Sequence, residues 1–421
     1  MYALRNLRAG ALALAGVFTL LAAQSAGAAV PAQTARDPLP QVSCAWPAVV
    51  SPDRLNFAFP ETNATYWLMP YRLGQGDRIR VEGTYPSARF TSLTSYDVKG
   101  SPIDSLADYE IAPSPGSRNP FSAPNAGSDP AQHKYQVTLE EGVAAGSGGN
   151  VLAGTSGSAT SGTGILALRI YVPAEASDPA GEVPLPSLSI QRDDGSVRSL
   201  SPCAGADSTQ GADGPLAGYI RDLVKDNAPP GGFEGCGEAS VKSPGFAVPN
   251  KAGGLFPNPY NKYLCTPMSY ESGRIAVVRG KAATFPNTRE GQSVLMRTQL
   301  RYWSLCQNQW QLPYPSSSCA ADYQTALDEE GRYTVVVSTS QDRPANATTA
   351  DSVTWMDWGP TNVDSILLFR NMLPAADFPQ AVQNVQKGQD PASVMGDYAP
   401  TITYCTKAAF EQGGPDACPA P

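Results

Sequence analysis

The sequence carries one histidine in 421 residues and 16% charged side chains. Beyond its first 28 positions, no apolar stretch is long enough to span a bilayer. Each scarcity excludes something. A histidine-rich metal centre cannot be built from one imidazole. No G-x-S-x-G elbow accompanies His133, so a Ser-His-Asp hydrolase is disfavoured and the bland reading of that residue is an exposed strand end. Basic residues are in deficit, with 30 Lys and Arg against 38 Asp and Glu for a net charge of −8. Nucleic acid or an anionic membrane would need a basic face, so neither is an expected partner. There is no C-x-x-C pair and no D-x-D-x-D-G loop, and no metal or cofactor is expected.

Glycine and proline, by contrast, are plentiful at 39 each. They disfavour long helices and fit many short strands joined by turns. At 42% hydrophobic, the chain can bury a real core, and its length is that of two or three domains. Residues 1–28 read as a secretory signal peptide. Arg5 and Arg8 form the positive start, 12–23 is an apolar run short for a membrane span, and Ala26-Gly27-Ala28 is an A-x-A cleavage site. Left uncleaved, the same segment would be an N-terminal anchor; its length argues for removal. Cleavage leaves 28 basic against 38 acidic residues, a net of −10. The mature protein is expected to be secreted or periplasmic.

All eight cysteines fall in that mature part, and an even count in an exported chain reads as four disulfides. Formally, 105 connectivities are open. Spacing suggests Cys306 with Cys319 across a Pro-Ser-rich loop, Cys405 with Cys418 around the tail, and Cys44 with Cys203 at the two ends of a first domain. Cys236 and Cys265 remain as the fourth pair.

The chain also resembles itself. Tyr66-Trp67-Leu68-Met69-Pro70 is echoed by Tyr263-Leu264-Cys265-Thr266-Pro267, and Arg78-Ile79-Arg80-Val81 by Arg274-Ile275-Ala276-Val277. Tyr85-Pro86 matches Phe285-Pro286, Arg89-Phe90-Thr91-Ser92-Leu93 matches Arg301-Tyr302-Trp303-Ser304-Leu305, and Ala107-Asp108-Tyr109 matches Ala321-Asp322-Tyr323. Tyr135 to Leu139 and Ile165 to Arg169 with Pro173 find counterparts at Tyr333 to Val337 and Ile366 to Arg370 with Pro374. Seven matches in one order, at offsets between 196 and 214, predict a tandem repeat of one domain.

Each copy reads as all-β, with β-branched and aromatic runs bounded by Gly, Pro, Asp and Ser. The expected architecture is two β-sandwich or jelly-roll-like domains at 44–205 and 236–405. A helix and linker fill 206–235, with Leu216, Tyr219, Ile220, Leu223 and Val224 on one helical face, and a disulfide-tied tail occupies 406–421. The Gly-Ser-Thr-Ala segment 144–164 is expected to be a mobile, solvent-facing loop.

The second copy has Arg301-Tyr302-Trp303-Ser304-Leu305, an Asp-Glu-Glu-Gly turn before Tyr333, the Thr354-Trp355-Met356-Asp357-Trp358 segment and a strand ending Arg370 to Pro374. In these features it resembles the bacterial β-rich domains of unknown function. The first copy is similar with weaker motifs: Thr91 replaces the tryptophan, and no tryptophan loop follows. The resemblance implies a sandwich or jelly roll and supplies no activity.

Two functional classes remain. The favoured one is a non-catalytic exported protein that binds a glycan, a small apolar molecule or an envelope protein. Trp310 and Tyr314 beside the Cys306–Cys319 loop, and Trp355 and Trp358 in a polar loop, with Asn308 among Gln307, Gln309 and Gln311, combine rings that stack on planar ligands with amides that hydrogen-bond them. Trp303, inside a strand, reads as core. The alternative is a histidine-independent glycoside hydrolase or lyase using Asp97, Asp104, Asp108 and Glu110. Residues repeated in both copies, Asp108 and Asp322 among them, more naturally serve the shared scaffold, capping turns or pairing with Arg89 and Arg301.

Overall fold

The first sheet is built from long strands whose two faces are both covered. The computed structural model describes residues 39–419 apart from 128, 158–161, 205–214, 227–234, 238 and 251–254; the expected signal peptide lies outside the described residues. The strands of the first half are β1 (Ala48–Val50), β2 (Ala64–Leu73), β3 (Arg78–Thr84), β4 (Ala88–Asp97) and β5 (Pro102–Ala107). They continue with β6 (Lys134–Glu140), β7 (Val151–Ala153), β8 (Gly162–Pro173), β9 (Ser187–Gln191) and β10 (Val197–Leu200). One sheet runs β1-β2-β8-β4-β5 and the other β10-β9-β3-β6-β7.

After helix α1 (Pro215–Asp226) come β11 (Asn261–Met268), β12 (Arg274–Lys281), β13 (Leu300–Gln309) and β14 (Ser316–Ala321). Then follow β15 (Arg332–Ser338), β16 (Val353–Asp357), β17 (Ser365–Pro374), helix α2 (Pro391–Met395), β18 (Thr401–Thr406) and helix α3 (Lys407–Gly413). These strands form sheets β11-β17-β13-β14 and β16-β15-β12-β18. Four sheets and few short helices make the chain all-β. None of the described helices is long and apolar enough to cross a membrane.

Strand order corresponds between the halves. β2-β8-β4-β5 is matched by β11-β17-β13-β14, and β9-β3-β6-β7 by β18-β12-β15-β16. Each half also contains one parallel pair, β6 with β7 and β15 with β16. In both, a glycine lies under a tyrosine ring of the neighbouring strand. A Cβ on Gly83 would fall 2.7 Å from Tyr135, and one on Gly280 would fall 2.5 Å from Tyr333.

Within each pair the sheets bury one apolar cluster. Trp67, Leu166 and Leu168 meet Val81, Val137 and Leu188 in the first half. Leu264, Trp303 and Phe369 meet Val278, Val335 and Ile402 in the second, so Trp303 is core. The other faces of the two long-stranded sheets meet each other through Phe90, Tyr171, Tyr302 and Met372. With both faces covered, β4 and β8 need apolar residues at consecutive positions, which is why 165–168 shows no alternation. The predicted amphipathic helix forms as α1 and lays Leu216, Ala217, Ile220 and Val224 on Leu68, Tyr96 and Ala167.

Three local expectations are corrected. Segment 144–164 is not simply a loop, because Val151 to Ala153 pair with β6 as β7. The Trp355 segment is strand β16. His133 is buried at 6% exposure, with its Nε2 3.2 Å from the Ala126 carbonyl, because 113–126 folds over the start of β6.

The four disulfides are Cys44–Cys203, Cys236–Cys265, Cys306–Cys319 and Cys405–Cys418, and there is no free cysteine. Cys306 and Cys319 sit directly opposite each other on β13 and β14. Non-reducing peptide mapping should recover these four pairs and no alkylatable thiol. Loop-closure entropy then ranks them: losing the Cys44–Cys203 bridge, with a separation of 159 residues, should cost about 4–5 kcal/mol. Losing Cys405–Cys418, with a separation of 13, should cost about 3 kcal/mol. Urea titrations of the paired Cys→Ser variants check the order.

Candidate functional site

The face between the two sheet pairs gathers most of the chain's buried charge. Arg89 begins β4 and Arg301 begins β13, at corresponding places. Asp108 and Asp322 follow β5 and β14, again at corresponding places. The pairs form crosswise. Arg89 Nη1 donates to Asp322 Oδ1 with both side chains fully buried, and Arg301 Nη1 lies 3.5 Å from Asp108 Oδ1.

Each carboxylate is also held by its own half. Asp108 accepts from the Thr91 and Tyr109 backbone N–H groups at 2.9 and 2.8 Å, and Asp322 from those of Trp303 and Tyr323 at 3.1 and 2.7 Å. The turn-capping and the arginine pairing expected of these acids therefore coexist. The Arg89 guanidinium is further boxed by the rings of Phe285, Tyr302 and Tyr323 at 5.2, 5.8 and 5.5 Å. Removing one partner of such a buried pair typically costs about 3–5 kcal/mol, because the other charge is stranded.

A second pair of arginines, Arg169 on β8 and Arg370 on β17, stands deeper. Arg370 Nη1 donates to Glu61 Oε2 and, at 2.8 Å, to Ser304 Oγ; Ser304 Oγ donates to the same carboxylate at 2.7 Å. Glu61 comes from the other half, just before β2. Burial pushes the Arg370 guanidinium down to about 9, still charged at neutral pH.

Arg169 has no such partner. It donates to Thr94 Oγ1 at 3.1 Å, to the Tyr96 hydroxyl and to the Phe256 carbonyl at 2.9 Å, with the rings of Tyr66 and Tyr96 at 5.6 and 5.3 Å. Around these arginines the Tyr66 and Tyr171 hydroxyls lie 3.1 Å apart, and Asn261 Nδ2 donates to the Tyr171 and Tyr263 hydroxyls.

The sequence-predicted ligand residues divide into two groups. Trp310 and Tyr314 come together at the tip of the β13–β14 hairpin, with ring centroids 5.3 Å apart. There they meet Phe59 of the first half, stacked on Trp310 at 5.8 Å with planes 15° apart. Backbone bonds from Ala58 N–H to the Pro313 carbonyl and from Phe59 N–H to the Tyr314 carbonyl fix the tip. All three rings are half-buried.

Asn308, Trp355 and Trp358 lie apart from this patch. Asn308 is fully buried in β13, donating to the Cys306 carbonyl at 2.8 Å and accepting from Ser316 Oγ at 2.6 Å. Trp358 is 2% exposed and packs against Tyr270. Trp355 is half-buried on β16, donating to Ser338 Oγ at 3.0 Å with the Arg343 guanidinium 4.7 Å from its ring centroid.

The acids of the alternative reading are engaged in local structure. Asp97 accepts from the Lys99 and Ser101 N–H groups, Asp104 from those of Gly146 and Ala153, and Glu110 from the Ala107 N–H and the Tyr260 hydroxyl. Among the described residues, the one cluster of metal-type donors is Glu61 with Cys306 and Cys319, whose sulfurs are joined as a disulfide. Sequence reading passed over Glu61 and Phe59, which carry no motif. The signal that finds Glu61 is its counterpart Asn258, at the same 197-residue offset that links Tyr66 to Tyr263.

No family model matches the chain, and no curated protein matches it. Among solved structures it is similar to an uncharacterized protein from Burkholderia cenocepacia, at a TM-score of 0.47 and 14% identity, covering 87% of this chain and 83% of that one. It is also similar to the VPA0106 protein from Vibrio parahaemolyticus, at a TM-score of 0.39 and 11% identity, covering 84% of this chain and 92% of that one. At these scores neither likeness fixes the fold or assigns an activity.

Burial pushes the Asp108 and Asp322 carboxyls up to about 6, against the opposing pull of Arg301 and Arg89. An unfolded aspartate titrates near about 3.9. The folded state therefore holds these two protons more tightly. Their contribution to stability is fully present below about pH 4 and is lost as pH rises through about 6. Urea unfolding of the wild type should show the fall between about pH 4 and 6, and Asp108→Asn with Asp322→Asn should flatten it. Equal slopes in the two proteins would contradict the assignment.

Proposed function

We propose that this is an exported, non-catalytic binding protein built from two copies of one β-sandwich or jelly-roll-like domain, 44–205 and 236–405. On this reading it works outside the cytoplasm, in the periplasm or beyond the cell, on a glycan, a small apolar molecule or an envelope protein. Four disulfides support the oxidising compartment. The corresponding strand orders of the two sheet pairs support the two-copy reading.

The observation that carries the binding reading is the half-buried stack of Phe59, Trp310 and Tyr314 where the hairpin tip meets the first half. Backbone bonds tie the two segments that carry it and its rings pack on one another, so little side-chain freedom is lost when a flat ligand stacks there. Trp355 lies on a separate strand and would serve a second contact at most. Asn308 braces the hairpin that carries the patch through its bond from Ser316, whereas Trp358 belongs to the core of the second half.

The test is tryptophan fluorescence titration with soluble chito-, cello- and malto-oligosaccharides. A binder found in this way should lose about 1–3 kcal/mol of affinity in Trp310→Ala, the range for a stacked aromatic anchor, and little in Trp355→Ala. Binding indifferent to Trp310→Ala would sink the assignment of this patch.

A further inference from the structure

The two deep arginines stand at corresponding places in the two halves but differ in their counter-charge. In the strand register Arg169 lies opposite Ser92, as Arg370 lies opposite Ser304. Glu61 and Asn258 precede β2 and β11 at matching positions. The Glu61 carbonyl accepts from Ala64 N–H at 3.2 Å and its Oε1 from Asn63 N–H at 3.4 Å; the Asn258 carbonyl accepts from Asn261 N–H at 3.0 Å and its Oδ1 from Tyr260 N–H at 3.1 Å.

Where the two then differ, two polar groups are left over. The free Glu61 oxygen collects Arg370 and Ser304 Oγ, but Asn258 ends one methylene shorter and in an amide. Asn258 Nδ2 and Ser92 Oγ are buried and neither has a hydrogen-bond partner, whereas Arg169 Nε lacks one just as Arg370 Nε does at the other site. Arg169 is 2% exposed and Ser92 1%. The segment carrying Asn258 is pinned against them, since Phe256 O accepts from Arg169 and Pro257 O accepts from the Tyr96 hydroxyl at 2.7 Å. A fixed cation with no carboxylate and two neighbouring donors with no acceptor ask for one thing, an acceptor bearing negative charge.

We propose that the first half binds a chloride-sized monovalent anion between Arg169, Ser92 and Asn258, in the place that the Glu61 carboxylate fills in the second half. The anion accepts from Ser92 Oγ, Asn258 Nδ2 and the guanidinium, which the rings of Tyr66 and Tyr96 flank. Because it is enclosed between the two sheet pairs, it acts as a structural ion that couples their association to halide concentration.

Crystals soaked in bromide should show an anomalous peak against Arg169 and Ser92. At constant ionic strength, replacing gluconate by chloride should raise the Tm of the wild type by an increment that grows with the logarithm of chloride concentration. Asn258→Glu should bring the Tm in gluconate up to the chloride value and abolish the dependence. Arg169→Gln should abolish it too, so a failure of either variant to fold leaves the other and the wild-type readings to decide. A water molecule at that position in bromide, or a Tm that follows ionic strength whatever the anion, would overturn the proposal. So would bromide density without chloride dependence, which would mark binding at crystal concentration only.

Discussion

The crossed pairing of Arg89 with Asp322 and Arg301 with Asp108 is the constraint around which the molecule is arranged. Each carboxylate is oriented by backbone N–H groups of its own half and neutralised by an arginine of the other. Neither half is electrostatically complete alone: parted from its partner, it would present a buried-type arginine and an oriented carboxylate to water. Coulomb attraction in a dry interface is strong, but desolvation offsets much of it, so such pairs contribute specificity of register more readily than raw stability. The apolar contacts of Phe90, Tyr171, Tyr302 and Met372 supply the burial, and the ion pairs fix which strands face each other.

That arrangement also explains why the buried tyrosines and arginines are so dense here. A sheet face covered by another sheet would ordinarily be aliphatic. This one carries Arg169, Arg370, Tyr66, Tyr171 and Tyr263, a polar network that demands nearly complete hydrogen bonding to persist. Around Arg370, Glu61 supplied by the first half meets that demand. Around Arg169, Asn258 supplied by the second half does not, and the difference between the two corresponding sites is what points to an ion.

Much of this was legible in the residue order. The offset matches singled out Arg89, Arg301, Asp108 and Asp322 as scaffold residues, and cysteine spacing led to the four bridges. What self-similarity cannot reveal is which copy a residue faces, so the exchange of partners between halves needed coordinates. Local polarity misled in three places. Gln132 and Lys134 made His133 look exposed, though a folded-over segment buries it. The polar neighbours of Trp358 suggested an exposed ring; it does lie in the connection after edge strand β16, but the ring turns into the core. The glutamines around Asn308 suggested a ligand surface, whereas β13 runs through Gln309 and buries both Gln307 and Asn308 beneath neighbouring strands. Phe59 and Glu61 sit in a short irregular segment without periodicity, where sequence pattern has nothing to say about contacts 240 or more residues away.

If the crossed ion pairs bind the two sheet pairs into one body, the halves cannot unfold independently. Differential scanning calorimetry of the oxidised protein is the most direct measurement. The wild type should give one transition whose calorimetric and van't Hoff enthalpies agree. Arg89→Met with Arg301→Met, which strands both carboxylates, should split it into two transitions. Two independent transitions in the wild type, or a single unchanged transition in the double variant, would contradict the account.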